Sequence, residues 1–464
     1  MNKTIKIALP KGRLLAETAS LLKEAGWGLQ EYTRETRYYH IASENFPYLF
    51  ARIFHEKDIP IQVAIGNYDL GICGLDWIEE LLSKYPGSEL IKLKDLGYGR
   101  GSLKAYTAAD YKLNRSERIR IASEYPNISE TYAARLRLQR FCIYPVWGAA
   151  EVYPPENAEI AILADINRES IVKSGLVPFE HVLNFSAWLI ANRRKWEKLD
   201  MGEILSSLNI RPSRIKESFN TNKTEGYINI PYYWHDENGL RIALPDGHQQ
   251  PHTLNLFIKA GIILDHYSSS GDNRRPSSNL EGIYFKVIRP QDMPSQVASG
   301  NFDLAFTGKD WLKNHLYQFP SSPVVEMLDL KYAKVRIVAA VHESLGIYDT
   351  ASLRRYVRSR QINLRIASEY VNIADRYARD NHLGMYRIIP TWGATEAFLP
   401  DDADLLIENT ETGRTLARHN LKIIDTLFES TGCIIGRRDI SMNSKKREKI
   451  ETFISKIREV LEKQ

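Results

Sequence analysis

Cysteine is scarce: three residues in 464, Cys73, Cys142 and Cys433, stand far apart and form no CxxC pair. That excludes a disulfide framework and a thiolate zinc site, and suits a reducing, cytoplasmic location. Long apolar runs are missing as well, since none approaches the ~18 residues needed to span a bilayer. The chain passes from "MNKT" straight into "IKIAL", so no signal peptide is expected. An excess of one charge is lacking too: 62 basic residues face 57 acidic ones, for a net charge of +5. That is too small and too dispersed for a nucleic-acid stripe, though it suits small anionic ligands. No Ser–His–Asp or Cys–His pattern offers a covalent nucleophile. What remains, 43% hydrophobic and 26% charged residues, is the composition of an ordinary globular protein long enough for several domains.

The chain says the same thing twice. "IKIALPKGRL" at 5–14 returns as "LRIALPDGHQ" at 240–249, and "GNYDLGICGLDWIEE" at 66–80 as "GNFDLAFTGKDWLKN" at 300–314. "RIASEYPNISETYA" at 120–133 returns as "RIASEYVNIADRYA" at 365–378, and "IYPVWGAAEVYPP" at 143–155 as "IIPTWGATEAFLP" at 388–400. The kept order and long period mean one domain duplicated in tandem. The expected division is a first copy at 1–208, a polar linker at 209–238, a second copy at 239–440 and a basic C-terminal helix at 441–464. Within each copy, short β-branched runs such as "IKIAL", "DLGIC" and "IRIAS" alternate with amphipathic helices. This alternation predicts α/β lobes with largely parallel sheets, whose ligands sit at the carboxyl ends of strands.

Two loops at such positions carry chemistry. In "LLIENTETGRTL", Glu408 ends a strand and Thr412-Gly413-Arg414-Thr415 turns into a helix. Gly413 allows close backbone approach, helix-start N–H groups and threonine hydroxyls donate to phosphate, and an acid can accept from ribose hydroxyls or help hold Mg²⁺. The pattern describes a ribose-5-phosphate grip; an N-capping turn with an exposed arginine is the bland alternative. In "LPKGRL", Lys11 and Arg13 flank Gly12 between strand and helix, which suits the phosphates of a nucleotide, although such cations are often merely solvated.

Taken together, "LPKGRL", "KDIPIQVAIGNYDLGICGLD", "DLGYG", "RIASEYPN", the xGxxE turn and "TGRTL" closely resemble ATP phosphoribosyltransferase. The resemblance covers nearly the whole chain, once per copy. It implies an α/β fold of two tandem copies, each a two-lobed unit like a type II periplasmic binding protein with its active site in the cleft. It implies the first step of histidine biosynthesis, in which N1 of ATP is joined to C1 of phosphoribosyl pyrophosphate and pyrophosphate leaves, with Mg²⁺ as cofactor. Each copy looks like the family's short form, which works with a separate regulatory subunit or further oligomerisation. By the same resemblance Glu408, Glu411, Thr412, Gly413, Arg414, Thr415 and Leu416 would hold phosphoribosyl pyrophosphate, Glu408 also being the candidate metal ligand. Lys11, Gly12, Arg13, Asp303, Gly308, Trp392 and Glu396 would contact ATP, and Arg289, Lys309, Lys11 and Arg13 would serve catalysis.

Neither copy keeps the whole pattern. The first has Leu163 where the second has Glu408, and Arg168 where the second has Gly413; Glu169 adds a carboxylate. The second has Asp246 for Lys11 and His248 for Arg13, yet keeps Arg289 and Lys309 where the first has His55 and Leu75. The expectation is one productive cleft in the second copy, with the first as a stabilising partner that reaches across through Lys11, Arg13, Arg34 or Arg37. Trp147 and Trp392 stand where the family usually has a small polar residue, and either stack on adenine or belong to the core. Glu124 and Glu369 stand where it often has lysine. His248 and His252 have i,i+4 spacing but no third ligand nearby. A catalytically inactive nucleotide- or phosphoribosyl-binding regulatory module is the alternative function.

Overall fold

The computed structural model describes residues 4–33, 40–109, 111–114, 117–166, 171, 173–199, 201–208, 239–267, 273–438 and 444–463. The linker 209–238, Arg34 and Arg37, and Arg168 and Glu169 lie outside the described residues. The chain divides into two compact units: residues 1–145, 158–228 and 392–397 form one, and 146–157, 229–391 and 398–464 the other. Each copy therefore lends a short segment to the unit built mainly from the other.

In the first unit, one sheet runs His40–Ala42, Leu49–His55, Ile5–Lys11, Leu70–Gly74, Ala187–Asn192, Leu90–Asp95. The second sheet runs Leu176–Phe185, Gly101–Ala108, Ile160–Ala164, Arg118–Ser123, Arg140–Pro145. The central strand Ile5–Lys11 pairs in parallel with both neighbours. Its Ile5, Ile7, Ala8 and Leu9 are all buried, as expected of a strand covered on both faces. The expectation of largely parallel sheets needs one correction. Ala187–Asn192 runs antiparallel to Leu70–Gly74 and Leu90–Asp95, because the chain returns from the second lobe to complete the first. In the second sheet, Gly101–Ala108 is likewise antiparallel to both its neighbours.

The second unit repeats this plan. One sheet runs Ile283–Ile288, Leu240–Pro245, Leu304–Gly308, Gly432–Arg437, Val324–Asp329, and the other Tyr386–Pro390, Leu364–Ser368, Leu405–Thr410, Val335–His342, Leu421–Ser430. Gly432–Arg437 is the antiparallel return strand. Two short crossings, Asp329 to Val335 and Ser430 to Gly432, thus join the lobes. The C-terminal helix Ser444–Glu462 inserts Ile450, Phe453, Ile454 and Ile457 into the first lobe's core, so it belongs to that lobe rather than standing alone. The duplicated two-lobed α/β architecture is present as expected.

Candidate active site

Strand ends converge on one cleft in the second unit, a cavity of about 360 Å³. From the first lobe come Asp246–Gln249 after strand Leu240–Pro245, Arg289–Gln291 after Ile283–Ile288, and Asp310 and Trp311 after Leu304–Gly308. From the second come Glu369 and Tyr370 after Leu364–Ser368, and Asn409 and Glu411 at the end of Leu405–Thr410. The crossings supply Ala333, Val335, Ser430 and Thr431. All five strands present carboxyl ends, the usual ligand side of such sheets.

At the cleft floor, the Asp310 backbone N–H donates to Ser430 Oγ at 3.0 Å. Tyr370 donates its hydroxyl to Asp310 Oδ2 at 2.7 Å, and Asn409 Nδ2 donates to that same hydroxyl at 2.8 Å. Burial raises the Asp310 carboxyl above its usual range, although the Tyr370 hydroxyl opposes the shift. The Trp311 and Tyr370 rings lie 4.4 Å apart. Near the rim, Asp246 Oδ2 pairs with Arg274 Nη1 at 2.8 Å and Arg289 Nη1 at 3.4 Å.

The corresponding floor in the first unit is built differently. Asp76 accepts from Tyr125 at 2.9 Å, repeating the tyrosine contact, but Arg13 Nη2 also reaches Asp76 Oδ1 at 2.7 Å. Arg13 Nε pairs with Glu56 Oε2 at 2.8 Å, and its guanidinium lies 4.7 Å from the Phe185 ring centre. The Lys11–Gly12–Arg13 loop thus belongs to the first unit, with Arg13 committed to two buried carboxylates there. Glu124 pairs with Lys57 at 2.6 Å.

The strand registers place Glu408 and Leu163 in correspondence. Val338 stands opposite Glu408 in one unit and Lys104 opposite Leu163 in the other. In the second unit, Gly413 has a left-handed φ of +76°, its N–H donates to Thr410 Oγ1 at 2.9 Å, and Arg414 N–H donates to Thr412 Oγ1 at 3.4 Å. Leu416 is buried and anchors the turn, while Glu411, Thr412, Arg414 and Thr415 are exposed. Glu408 Oε1 accepts from Asn409 N–H at 2.9 Å. In the first unit Lys104 Nζ pairs with Asp165 Oδ2 at 2.6 Å, closing the loop's start with an internal ion pair.

Of the other predicted site residues, Arg289 lines the cleft. Lys309 Nζ is held by Asp329 at 2.9 Å and Glu326 at 3.1 Å. Gly308 lies directly beneath Asp310, where an added Cβ would collide with Oδ1. Asp303 precedes the same strand at its opposite end, pairing with Arg241 and Lys446. Trp392 and Glu396 fall in the segment that clusters with the first unit. His248 and His252 have ring centres 5.6 Å apart, and His252 stacks on Tyr332. Among the described residues no group of three His, Cys, Asp or Glu side chains could hold a metal ion. Mg²⁺ fits this donor set only as an ion carried in on a diphosphate and met by Glu408, since such an ion needs few protein ligands.

Sequence reasoning missed Asp310, Tyr370, Asn409 and the aromatic Trp311. The available signal was the repetition of "DW" and "SEY" in both copies. Nothing in those strings says that residues about sixty positions apart meet across a cleft.

The fold and cleft define a duplicated, two-lobed α/β protein with a candidate small-molecule site in the cleft of its second unit. Its relatives make the class specific. A family model described as ATP phosphoribosyltransferase matches residues 55–210 and 289–459. The ATP phosphoribosyltransferase of Chlorobium phaeobacteroides is 37% identical over 222 residues, 47% of this chain and 70% of that protein. That of Prosthecochloris aestuarii is 36% identical over 219 residues, 46% of this chain and 69% of that protein. The solved ATP phosphoribosyl transferase (HisG:HisZ) complex from Thermotoga maritima aligns at 27% identity and a TM-score of 0.40, covering 48% of this chain and all of that one. The chain belongs to the ATP phosphoribosyltransferase family, a family of glycosyltransferases.

Proposed function

We propose that the second unit's cleft carries out phosphoribosyl transfer from phosphoribosyl pyrophosphate to N1 of ATP, the first step of histidine biosynthesis, in the cytoplasm. The carrying observation is the loop from Glu408 to Leu416. It stands at a strand's carboxyl end beside the cleft, anchored by buried Leu416 and turned at left-handed Gly413, with exposed hydroxyls at Thr412 and Thr415.

The chemistry asks for charge placement rather than a nucleophile. As the C1–O bond breaks, the electron pair leaves with pyrophosphate and positive charge develops on the sugar. The N1 lone pair then forms the new C–N bond. Glu408 would orient the ribose hydroxyls, the Thr412–Thr415 turn would hold the 5-phosphate, and Arg289 would offset charge on the departing pyrophosphate. Lobe closure over the two crossings would exclude water. Bound Mg²⁺ would supply further neutralisation of the pyrophosphate. A separate regulatory subunit is part of the same proposal.

A binding-only regulatory module is the second reading. It is favoured by the four carboxylates, Asp246, Asp310, Glu369 and Glu411, that face ligands rich in negative charge. Mixing the full chain with ATP, phosphoribosyl pyrophosphate and Mg²⁺ and following absorbance of the N1 adduct decides between them. Adduct formation establishes the enzyme, and tight binding of both ligands with no adduct establishes the module.

A further inference from the structure

Four buried acceptor oxygens that line the second unit's cleft have no hydrogen-bond donor among the described residues: Asp246 Oδ1, Gln249 Oε1, Gln291 Oε1 and Asp310 Oδ1. The set is one-signed. A buried acceptor left without a donor is unfavourable, so this wall is shaped for a ligand group rich in N–H or O–H. Phosphates, which only accept when fully ionised, do not match it.

Asp310 is the deepest of the four, only 5% exposed. In the first unit, a Cβ added at Gly74 would collide with both Asp76 Oδ1 and the Arg13 guanidinium. At Gly308 the collision is with Asp310 Oδ1, and the nearest atom of any other residue, Gln249 Nε2, is 3.1 Å off. Arg13 is thus a planar N–H donor already seated on its carboxylate, whereas among the described residues nothing, His248 at the same loop position included, donates to Asp310 Oδ1. Trp311, the next residue, lines the same cleft but is largely buried, its ring packed between Tyr370 and Trp147.

We propose that Asp310 Oδ1 accepts the exocyclic N–H edge of an amino-substituted purine bound in this cleft, and that this contact selects adenine nucleotides over 6-oxo purines. The proposal rests on the reading of this cleft as the nucleotide site. In that reaction, attack by N1 leaves the ring with one positive charge shared over N1, C6 and the amino nitrogen. The carboxylate that orients the base is then also placed to offset that charge.

The network dictates the test. Asn409 donates to the Tyr370 hydroxyl, so the tyrosine's own proton points to Asp310 Oδ2. In Asp310→Asn, the amide oxygen must take the Oδ2 position to keep that bond, which puts the NH₂ where Oδ1 stood. The acceptor facing the ligand becomes a donor. By calorimetry on the full chain, the wild type should prefer ATP to ITP, whose C6 carries a carbonyl oxygen. Asp310→Asn should lose ATP affinity by roughly 10- to 100-fold and reverse that preference. His248→Arg, which leaves Asp310 in place, should seat a guanidinium on Oδ1 as Arg13 does. It should abolish ATP binding while phosphoribosyl pyrophosphate affinity stays within about twofold. An unchanged ATP:ITP ratio in Asp310→Asn, or undiminished ATP binding in His248→Arg, overturns the assignment, and the second variant decides if the first does not fold. If the wild type forms no adduct yet shows the Asp310-dependent preference, the reaction fails and this assignment stands. If adduct forms and the preference ignores Asp310, the reaction stands and the assignment falls.

Discussion

Arg13 bridges Asp76 and Glu56, both almost fully buried, so its removal would leave two carboxylates without their cation. Breaking a buried pair from one side typically costs about 3–5 kcal/mol. Arg13→Ala should therefore destabilise the first unit by about that amount, read from urea midpoints; a loss below about 1 kcal/mol would show the pair to be dispensable. Gly413 makes the opposite case. A Cβ there would meet only Ile423 Cδ1 at 3.9 Å, so space is available and the left-handed φ of +76° is the main obstacle. Gly413→Arg should cost only about 1–2 kcal/mol of stability yet abolish phosphoribosyl pyrophosphate binding, because backbone approach to the phosphate is lost. Calorimetry showing unchanged affinity would refute the loop's role. The turn of the Glu408–Leu416 loop was legible in the sequence because its geometry is local: acid, turn glycine and hydroxyls lie within nine residues. The unpartnered Oδ1 of Asp310 was not. Asp76 and Asp310 sit in near-identical strings, and only the residue at Arg13 or His248, some sixty positions upstream, separates a satisfied carboxylate from an open one.

Strands were legible for the same local reason, since runs such as Ile5–Lys11 and Leu304–Gly308 are mostly apolar and mostly buried. Their direction was not. The return strands Ala187–Asn192 and Gly432–Arg437 are as apolar as their parallel neighbours, and a doubly covered strand reads alike whichever way it runs. The segment 146–157 was similarly illegible, since it packs in the unit built mainly from the other copy. There Glu156 accepts from Lys286 at 2.9 Å and Arg275 at 3.2 Å, all three being largely buried. Burial alone would raise the Glu156 carboxyl, but these two cations outweigh it and hold it below its ordinary 4.5. A depressed carboxyl contributes stability above its unfolded value, and that contribution fades as pH falls through about 4.5 toward the folded value. Glu156→Gln should therefore destabilise the second unit by about 3–5 kcal/mol at neutral pH, with the gap to wild type narrowing in acid. A gap that stays constant between about pH 3 and pH 7 would show that charge pairing at Glu156 is not its source.

A duplicated chain needs only one working cleft, and the two units diverge in complementary ways. The second keeps Glu408, Gly413 and the open turn. The first has Leu163 in the acid's register and ties Asp165 to Lys104 at 2.6 Å, which sets an ion pair at the start of its loop. A sugar-phosphate arriving there would face an aliphatic side chain in place of the ribose acceptor and a lysine already neutralised. The whole molecule should thus bind one phosphoribosyl pyrophosphate, and the stabilisation should be confined to one unit. A ligand at 100 times its Kd adds about 2.7 kcal/mol to whatever it binds. Hydrogen exchange in the full chain should accordingly slow across Leu405–Thr410 and the turn that follows, leaving Ile160–Ala164 unchanged, with a calorimetric stoichiometry of one. Equal protection of both segments, with two ligands per chain, would mean that the first unit's loop still grips phosphate despite its ion pair. The asymmetry would then be without consequence for binding.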